Sequence, residues 1–298
     1  MGDWVLTLVG TPLGHRVALG LALLAALLHA LFGALQKGRH DPWLTRAAID
    51  ASYGIIAAPF ALFVVPWPEP WMWPIFAGAF VIHAGYKVAQ AMTYDRAPYT
   101  VVYPVVRGTG PFFTVIGAGL VFGEHFAPLQ WVGLLLLVAG ILGLAGYNLA
   151  HMPEGQNLWP AIGLALITGG FVAAYTTFDA WGIRATADPF TFLAWFFMID
   201  GVFIPVVTHR RWRHLTWDQA GPLLRRGVFG AFVAYFSFGG IMLATQIDRV
   251  GEAAALRETS TLFAALIGWW LLGEKVGPVQ VALMGLIAMG AVVMESTG

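Results

Sequence analysis

His83, Tyr86, Lys87 and Gln90 recur at i, i+3, i+4 and i+7, so a helix would carry all four on one face. An imidazole, a phenol, an amine and an amide in one stripe suit the binding of a small polar molecule. A desolvated lysine can also shed its proton, which would let Lys87 take part in coupling. Arg107, Arg257 and Glu258 form a second set. Arginine keeps its proton, so each guanidinium must meet a carboxylate, a carbonyl or a bound anion. Neighbours on a helix point about 100° apart. Arg257 and Glu258 are therefore expected to pair across the fold, Arg257 with substrate and Glu258 with Arg107 or Lys87. Tyr175 and Asp179 stand at i, i+4, with Thr168 on a neighbouring face. His29 has no ionisable neighbour in its segment, and reads either as a structural hydrogen-bond donor or as a proton or ligand group. Tyr103 completes the candidate substrate-binding set. Asp50 and Asp200 have no evident partner in sequence.

The segments that hold these groups are apolar. An ionisable side chain in lipid costs about 2.5–3.5 kcal/mol, so such groups face protein or a wet cavity. The 298-residue chain is 58% hydrophobic and 11% charged, with a mean hydropathy of +0.73. Soluble domains average about 25% charged residues, so this chain has too little polar surface to face water. Ten windows approach the roughly 20 apolar residues that cross a bilayer: 17–36, 46–65, 71–93, 100–122, 129–147, 158–179, 189–208, 227–246, 253–273 and 276–294. The first is too long for a signal-peptide core and is expected to be a retained span. Tryptophans such as Trp43, Trp67, Trp73, Trp159 and Trp217 fall at span ends, the interfacial position. Lysine and arginine collect in alternate loops, at Lys37, Arg39, Arg46, Arg96, Arg210, Arg211, Arg213, Arg225, Arg226 and Lys275. The positive-inside rule then puts both termini outside the cytoplasm.

The halves repeat. Gly123-Glu124, Pro128 and Gln130 match Gly273-Glu274, Pro278 and Gln280 at an offset of 150, and Arg107 and Asp50 fall on Arg257 and Asp200 at the same offset. Asp41-Pro42 matches Asp188-Pro189 with a small gap. Residues 1–150 and 151–298 thus read as two five-helix units. Five is odd, so the second unit must lie inverted, a plan that puts a site near the bilayer midplane. Pro104 and Pro111 are expected to interrupt the fourth span, and with Gly108 they make it the hinge candidate. The fifth and tenth spans are almost free of polar groups. Ala139, Gly143 and Gly285 are expected to let them pack together or form a dimer face.

Tyr103-Pro104-Val105-Val106-Arg107-Gly108-Thr109-Gly110-Pro111, Gly123-Glu124 and Gln130-Trp131-Val132-Gly133, with Arg257-Glu258-Thr259-Ser260 and Gly273-Glu274 in the second half, carry a resemblance. Over nearly its whole length the chain resembles the EamA-type carriers of the drug/metabolite transporter superfamily. That resemblance implies ten transmembrane helices in two inverted repeats and no cofactor. It also implies a central cavity lined by helices one, three, four, six, eight and nine. The family's usual cytoplasmic termini disagree with the loop charges.

The expected protein is an all-α, multi-pass inner-membrane carrier of a small charged metabolite, a monomer or homodimer among membrane lipids. A lipid-headgroup or lipid-linked-sugar flippase is the alternative. There is no cysteine, which removes disulfides and thiolate chemistry. No Gly-rich phosphate loop and no His-Glu-x-x-His pattern occurs. Ser237 and Ser260 lack a nearby His-Asp arrangement. Zero net charge gives no case for nucleic acid. An enzyme, a metal site and a cofactor are therefore not expected.

Overall fold

The computed structural model describes residues 2–36, 41–97, 99–151, 158–272 and 277–296. Thirteen α-helices follow in order among these residues: α1 Asp3–Leu6, α2 Pro12–Gln36, α3 Pro42–Phe63, α4 Trp73–Tyr94, α5 Tyr99–Phe122, α6 Pro128–Ala150, α7 Trp159–Ala185, α8 Pro189–Asp200, α9 Phe203–Trp212, α10 Trp217–Ile247, α11 Val250–Arg257, α12 Ser260–Leu272 and α13 Pro278–Glu295. Apolar side chains point outward and charged ones inward: Phe63 is 84% and Leu120 82% exposed, while Lys87, Arg107 and Arg257 are each 2% exposed. That inversion of the soluble pattern places the chain in a lipid environment as a multi-pass membrane protein.

Among the described residues, eight helices are long and apolar enough to cross a membrane, against the ten expected. The two shortfalls have a physical cause. The third span, α4, is diluted by His83, Lys87 and Gln90. The ninth carries three charges, Glu252 and Arg257 in α11 and Glu258 in the turn to α12. The charges that mark the candidate site are thus the ones that spoil the hydropathy of its helices.

The packing follows a two-fold plan. Across the centre α3 packs on α8, α5 on α11, and α6 on α13. The pairs α2 with α10 and α4 with α7 exchange under the same operation. The repeated motifs prove to be helix ends. Asp41 accepts from the backbone N–H of Trp43 at 2.8 Å and caps α3. Asp188 accepts from Phe190 N–H at 2.9 Å and caps α8. Gln130 and Gln280 each accept from the N–H that precedes Pro128 or Pro278, at 2.9 and 2.8 Å. These bonds satisfy donors that helix starts leave open. Gly123, at φ +67°, ends α5 in the left-handed region that favours glycine. Glu274 and Gly273 lie outside the described residues.

The α6–α13 pairing meets the expectation for the fifth and tenth spans, through Gly143 as expected and through two further glycines. A Cβ on Gly290 would fall 2.4 Å from the Leu137 nitrogen, and one on Gly133 2.6 Å from that of Met294. Gly143 meets Leu283, whereas Gly285 faces open space and Ala139 is exposed.

Candidate functional site

Two buried charge clusters lie inside the bundle, and in each a pair of like charges from opposite halves shares one counter-ion. In the first, Lys87 Nζ stands 2.8 Å from Asp50 and 2.9 Å from Asp200. Arg46 pairs with Asp50 at 2.7 Å, one turn away on α3. The Tyr53 hydroxyl bonds the Asp200 carboxylate at 2.5 Å and accepts from Lys87 at 3.1 Å. Backbone contact makes this possible. A Cβ on Gly201 would fall 2.7 Å from both the Asp50 carbonyl oxygen and the Gly54 Cα, so α3 and α8 touch beside the two carboxylates.

In the second cluster Arg107 Nε meets Glu258 at 2.7 Å, and Arg257 Nε is 3.9 Å from the same carboxylate. Arg107 also donates to Ser260 Oγ at 3.1 Å. The hydrogen bonds of Arg257 among the described residues go to hydroxyls, Thr176 at 3.4 Å and Tyr175 at 3.5 Å. Tyr103 lies under Arg107, with the guanidinium 5.9 Å from its ring centre. The turn at Glu258 and Thr259 between α11 and α12 gives these two carboxyl and hydroxyl residues their inward position.

His83 and Tyr175 join the clusters. His83 Nε2 is 2.8 Å from Asp179, and its ring centre lies 4.7 Å from that of Tyr175. Tyr86 packs on Tyr175 at 5.0 Å and accepts from Gln90 at 2.7 Å. His29 sits apart among Phe32 and Phe238, its Nδ1 without a hydrogen-bond partner among the described residues. Where the central cavity is expected, two voids of about 10 Å³ each lie beside the clusters. Arg46, His83 and Asp200 line one, Asp179 and Arg257 the other, and Phe238 borders both. Such a space holds about one water, so the site is closed.

The structure brings together His83, Tyr86, Lys87, Tyr103, Arg107, Tyr175, Asp179, Arg257 and Glu258, and leaves His29 at the margin. Three expectations are corrected. Asp179 is not near a helix end: α7 runs six residues further, to Ala185. Arg46 is not a loop cation but a buried residue of α3. Pro104 and Pro111 do not interrupt the fourth span: α5 continues through both, with Thr109 and Thr114 hydroxyls bonded to Val105 and Gly110 carbonyls. Breaks fall instead in the seventh span, at Gly201 and Val202, and in the ninth, at Glu258 and Thr259, with no proline at either.

Spans two and seven also line the site, beyond the six helices the resemblance implied. They supply Arg46, Asp50, Tyr53 and Asp200, which sequence reasoning left without roles. The i, i+3, i+4 relation of Arg46, Asp50 and Tyr53 was a readable signal. The matched positions of Asp50 and Asp200 needed the caps to interpret. Asp50 lies nine residues after its cap Asp41 (50 − 41) and Asp200 twelve after Asp188 (200 − 188), so they sit one helical turn out of register on the same face.

The end of the bundle that holds both termini is cross-linked. His15 joins Asp248 at 2.5 Å and Glu295 at 3.0 Å. Gln130 donates to Glu252 at 2.7 Å, and Arg249 pairs with Glu252 and the His125 carbonyl. Glu124, set by the Gly123 turn, accepts from Val250 and Gly251 N–H at 2.7 and 3.0 Å and so caps α11 of the other half. His15, Asp248 and Glu252 are of metal-ligand type and lie within 4.8 Å of one another, but each is already held by these bonds.

Comparison with known proteins fits this architecture. A solved crystal structure superposes with a TM-score of 0.74 over 96% of this chain and 99% of that one, at 16% identity, a likeness of fold. An uncharacterized protein, y4nH of Sinorhizobium fredii, is 30% identical over 77 residues. The match spans 26% of this chain and 66% of that relative's length. The family model of the EamA-like transporter family matches residues 16–146 and again 159–296. With both halves matched, this chain belongs to the EamA-like transporter family, and is a membrane transporter of the drug/metabolite superfamily.

Proposed function

We propose that the chain is a secondary carrier that moves a small charged metabolite across the inner membrane by alternating access. Its substrate is an amino acid, another zwitterion or an organic anion. One observation carries the reading: Arg107 and Arg257, buried and repeat-related, share the single carboxylate Glu258. A guanidinium deep in the bundle whose nearest carboxylate is 3.9 Å away has binding capacity to spare. The cross-linked end around His15, Asp248 and Arg249 acts as the closed gate, and the two small voids as the collapsed site. Pro104, Gly108 and Pro111 remain the hinge proposed for the fourth span. The driving force is the substrate gradient, or protons carried by Glu258, His29 or Lys87. Uptake and efflux in proteoliposomes test the reading: Arg257→Ala abolishes transport, and undiminished flux would reject the role.

One feature favours the flippase reading as second choice. An apolar groove of about 220 Å³ between α3, α8 and α10 is lined by Tyr53, Phe60, Phe232 and Tyr235. The Tyr53 ring faces this groove while its hydroxyl holds Asp200. A chain lying in the groove would bring its head to the first cluster. Translocation of a fluorescent phospholipid by the purified protein would select this reading over the first.

A further inference from the structure

The two charge clusters balance. With the His83 imidazole counted as neutral, Arg46, Lys87, Arg107 and Arg257 face Asp50, Asp179, Asp200 and Glu258, four cations against four carboxylates. Among the described residues, three of these groups keep an atom with no hydrogen bond and no ion pair closer than 3.9 Å: Arg46 Nη1 beside one void, and Arg257 and Asp179, which border the other together. Arg257 is 2% exposed and its Nε has no hydrogen-bond partner. Asp179 is 3% exposed; Oδ2 meets His83, and Oδ1 has no partner. The rest of the void's wall sets the hydroxyl residues Tyr175, Thr176 and Thr245 beside Ala180 and, on α10, the apolar Phe238, Ile241 and Met242.

Resting on the carrier reading, the geometry points to a substrate class. The site takes a net-neutral zwitterion with an apolar side chain, its carboxylate on Arg257, its ammonium on Asp179 and its side chain along Phe238, Ile241 and Met242. The charge balance argues for this over an organic anion or an amine. A buried, neutral cluster that accepts a net charge must desolvate it without a counter-ion, which is costly. A zwitterion brings none. The unused valences also come in the right pair, since a guanidinium suits a carboxylate and a carboxylate accepts from an ammonium. The void of about 10 Å³ is far too small for the ligand. Binding therefore requires α10 to move away from α7 and α11, the displacement that opening the site demands.

Matched triads test the inference. Leucine is compared with 3-methylbutylamine, which lacks the carboxylate, and 4-methylpentanoate, which lacks the amine. Phenylalanine is compared with 2-phenylethylamine and 3-phenylpropanoate. The readouts are thermal stabilisation of the purified protein and competition with labelled amino acid in proteoliposomes. At least one zwitterion is expected to bind, and both of its truncated partners to bind about tenfold or more weakly, because each leaves one buried charge unanswered. Asp179→Asn is expected to narrow the preference over the acid by about tenfold while leaving that over the amine. If that variant does not accumulate, the triads on the unaltered protein decide alone. An acid or an amine that binds as well as its zwitterion overturns the assignment, as does silence from both triads. An anion carried equally well by Asp179→Asn would overturn it and leave the carrier standing. Translocation of lipid with no flux of any small solute would overturn both.

Discussion

Arg107 and Glu258 meet at 2.7 Å as a fully buried pair contributed by opposite halves of the chain. Glu258 also serves Arg257, so removing this one carboxylate strands two guanidinium groups. Glu258→Leu is expected to destabilise the protein by about 3–5 kcal/mol. Adding Arg107→Met and Arg257→Met should recover most of that loss while transport stays abolished. Melting curves of the purified variants read the difference, and a triple variant no more stable than the single would refute the pairing.

Lys87 poses the opposite problem, one cation between two carboxylates. In Lys87→Met, Asp50 keeps Arg46 but Asp200 keeps no strong cation, His83 being 4.0 Å away. Adding Asp200→Asn should therefore restore stability by about 1–3 kcal/mol, and adding Asp50→Asn much less. Equal recovery would show that the two carboxylates are not held as described.

Glu124 ties the first half to the start of α11. Glu124→Gln should weaken that cap by about 1 kcal/mol. Hydrogen exchange at the Val250 and Gly251 amides would then quicken, with ligand affinity at the central site retained. Unchanged exchange would count against the cap.

Glycines on α13 separate contact from vacancy of contact. Gly290→Val drives a side chain into the α6 backbone and should cost about 1–3 kcal/mol. Gly285→Ala meets nothing within 4 Å and should be neutral or stabilising by about 0.5–1 kcal/mol. Similar melting temperatures for the two would contradict the helix pairing.

Orientation follows from the cation-rich loops. A periplasm-active phosphatase fused after Ser296 should be active, and a cytoplasm-only reporter silent. The reverse pattern would restore the family's usual arrangement and move the His15 gate to the cytoplasmic side.

Much of this fold was legible, because lipid writes it in long apolar runs and because the repeat could be counted. The caps at Asp41, Asp188, Gln130 and Gln280 even explain why those letters repeat. The site was half legible. His83 and Lys87 announced themselves by sitting at membrane depth, and so did Arg107 and Arg257. Their partners did not, because Lys87 finds Asp200 across 113 residues and His83 finds Asp179 across 96. Helix periodicity says which residues share a face but not which face looks at which. The broken ninth helix was also hidden. Proline pointed to the fourth span, whereas the turn at Glu258 and Thr259 depends on the buried charges it presents.

The shared counter-ions have a last consequence. At the offset that relates the arginines, Ser237 stands opposite Lys87 and Gly108 opposite Glu258. The halves therefore cannot trade places at equal energy, since the charges that lock one arrangement have no copies to lock its mirror image. The resting population is skewed toward one side of the membrane, by a factor of ten for each 1.4 kcal/mol or so of difference. Substrate arriving at the disfavoured side meets a smaller fraction of competent molecules. On the carrier reading proposed above, two unrepeated residues thus make the apparent affinity differ between the two sides of the membrane, while the gradient alone sets the direction of net flux.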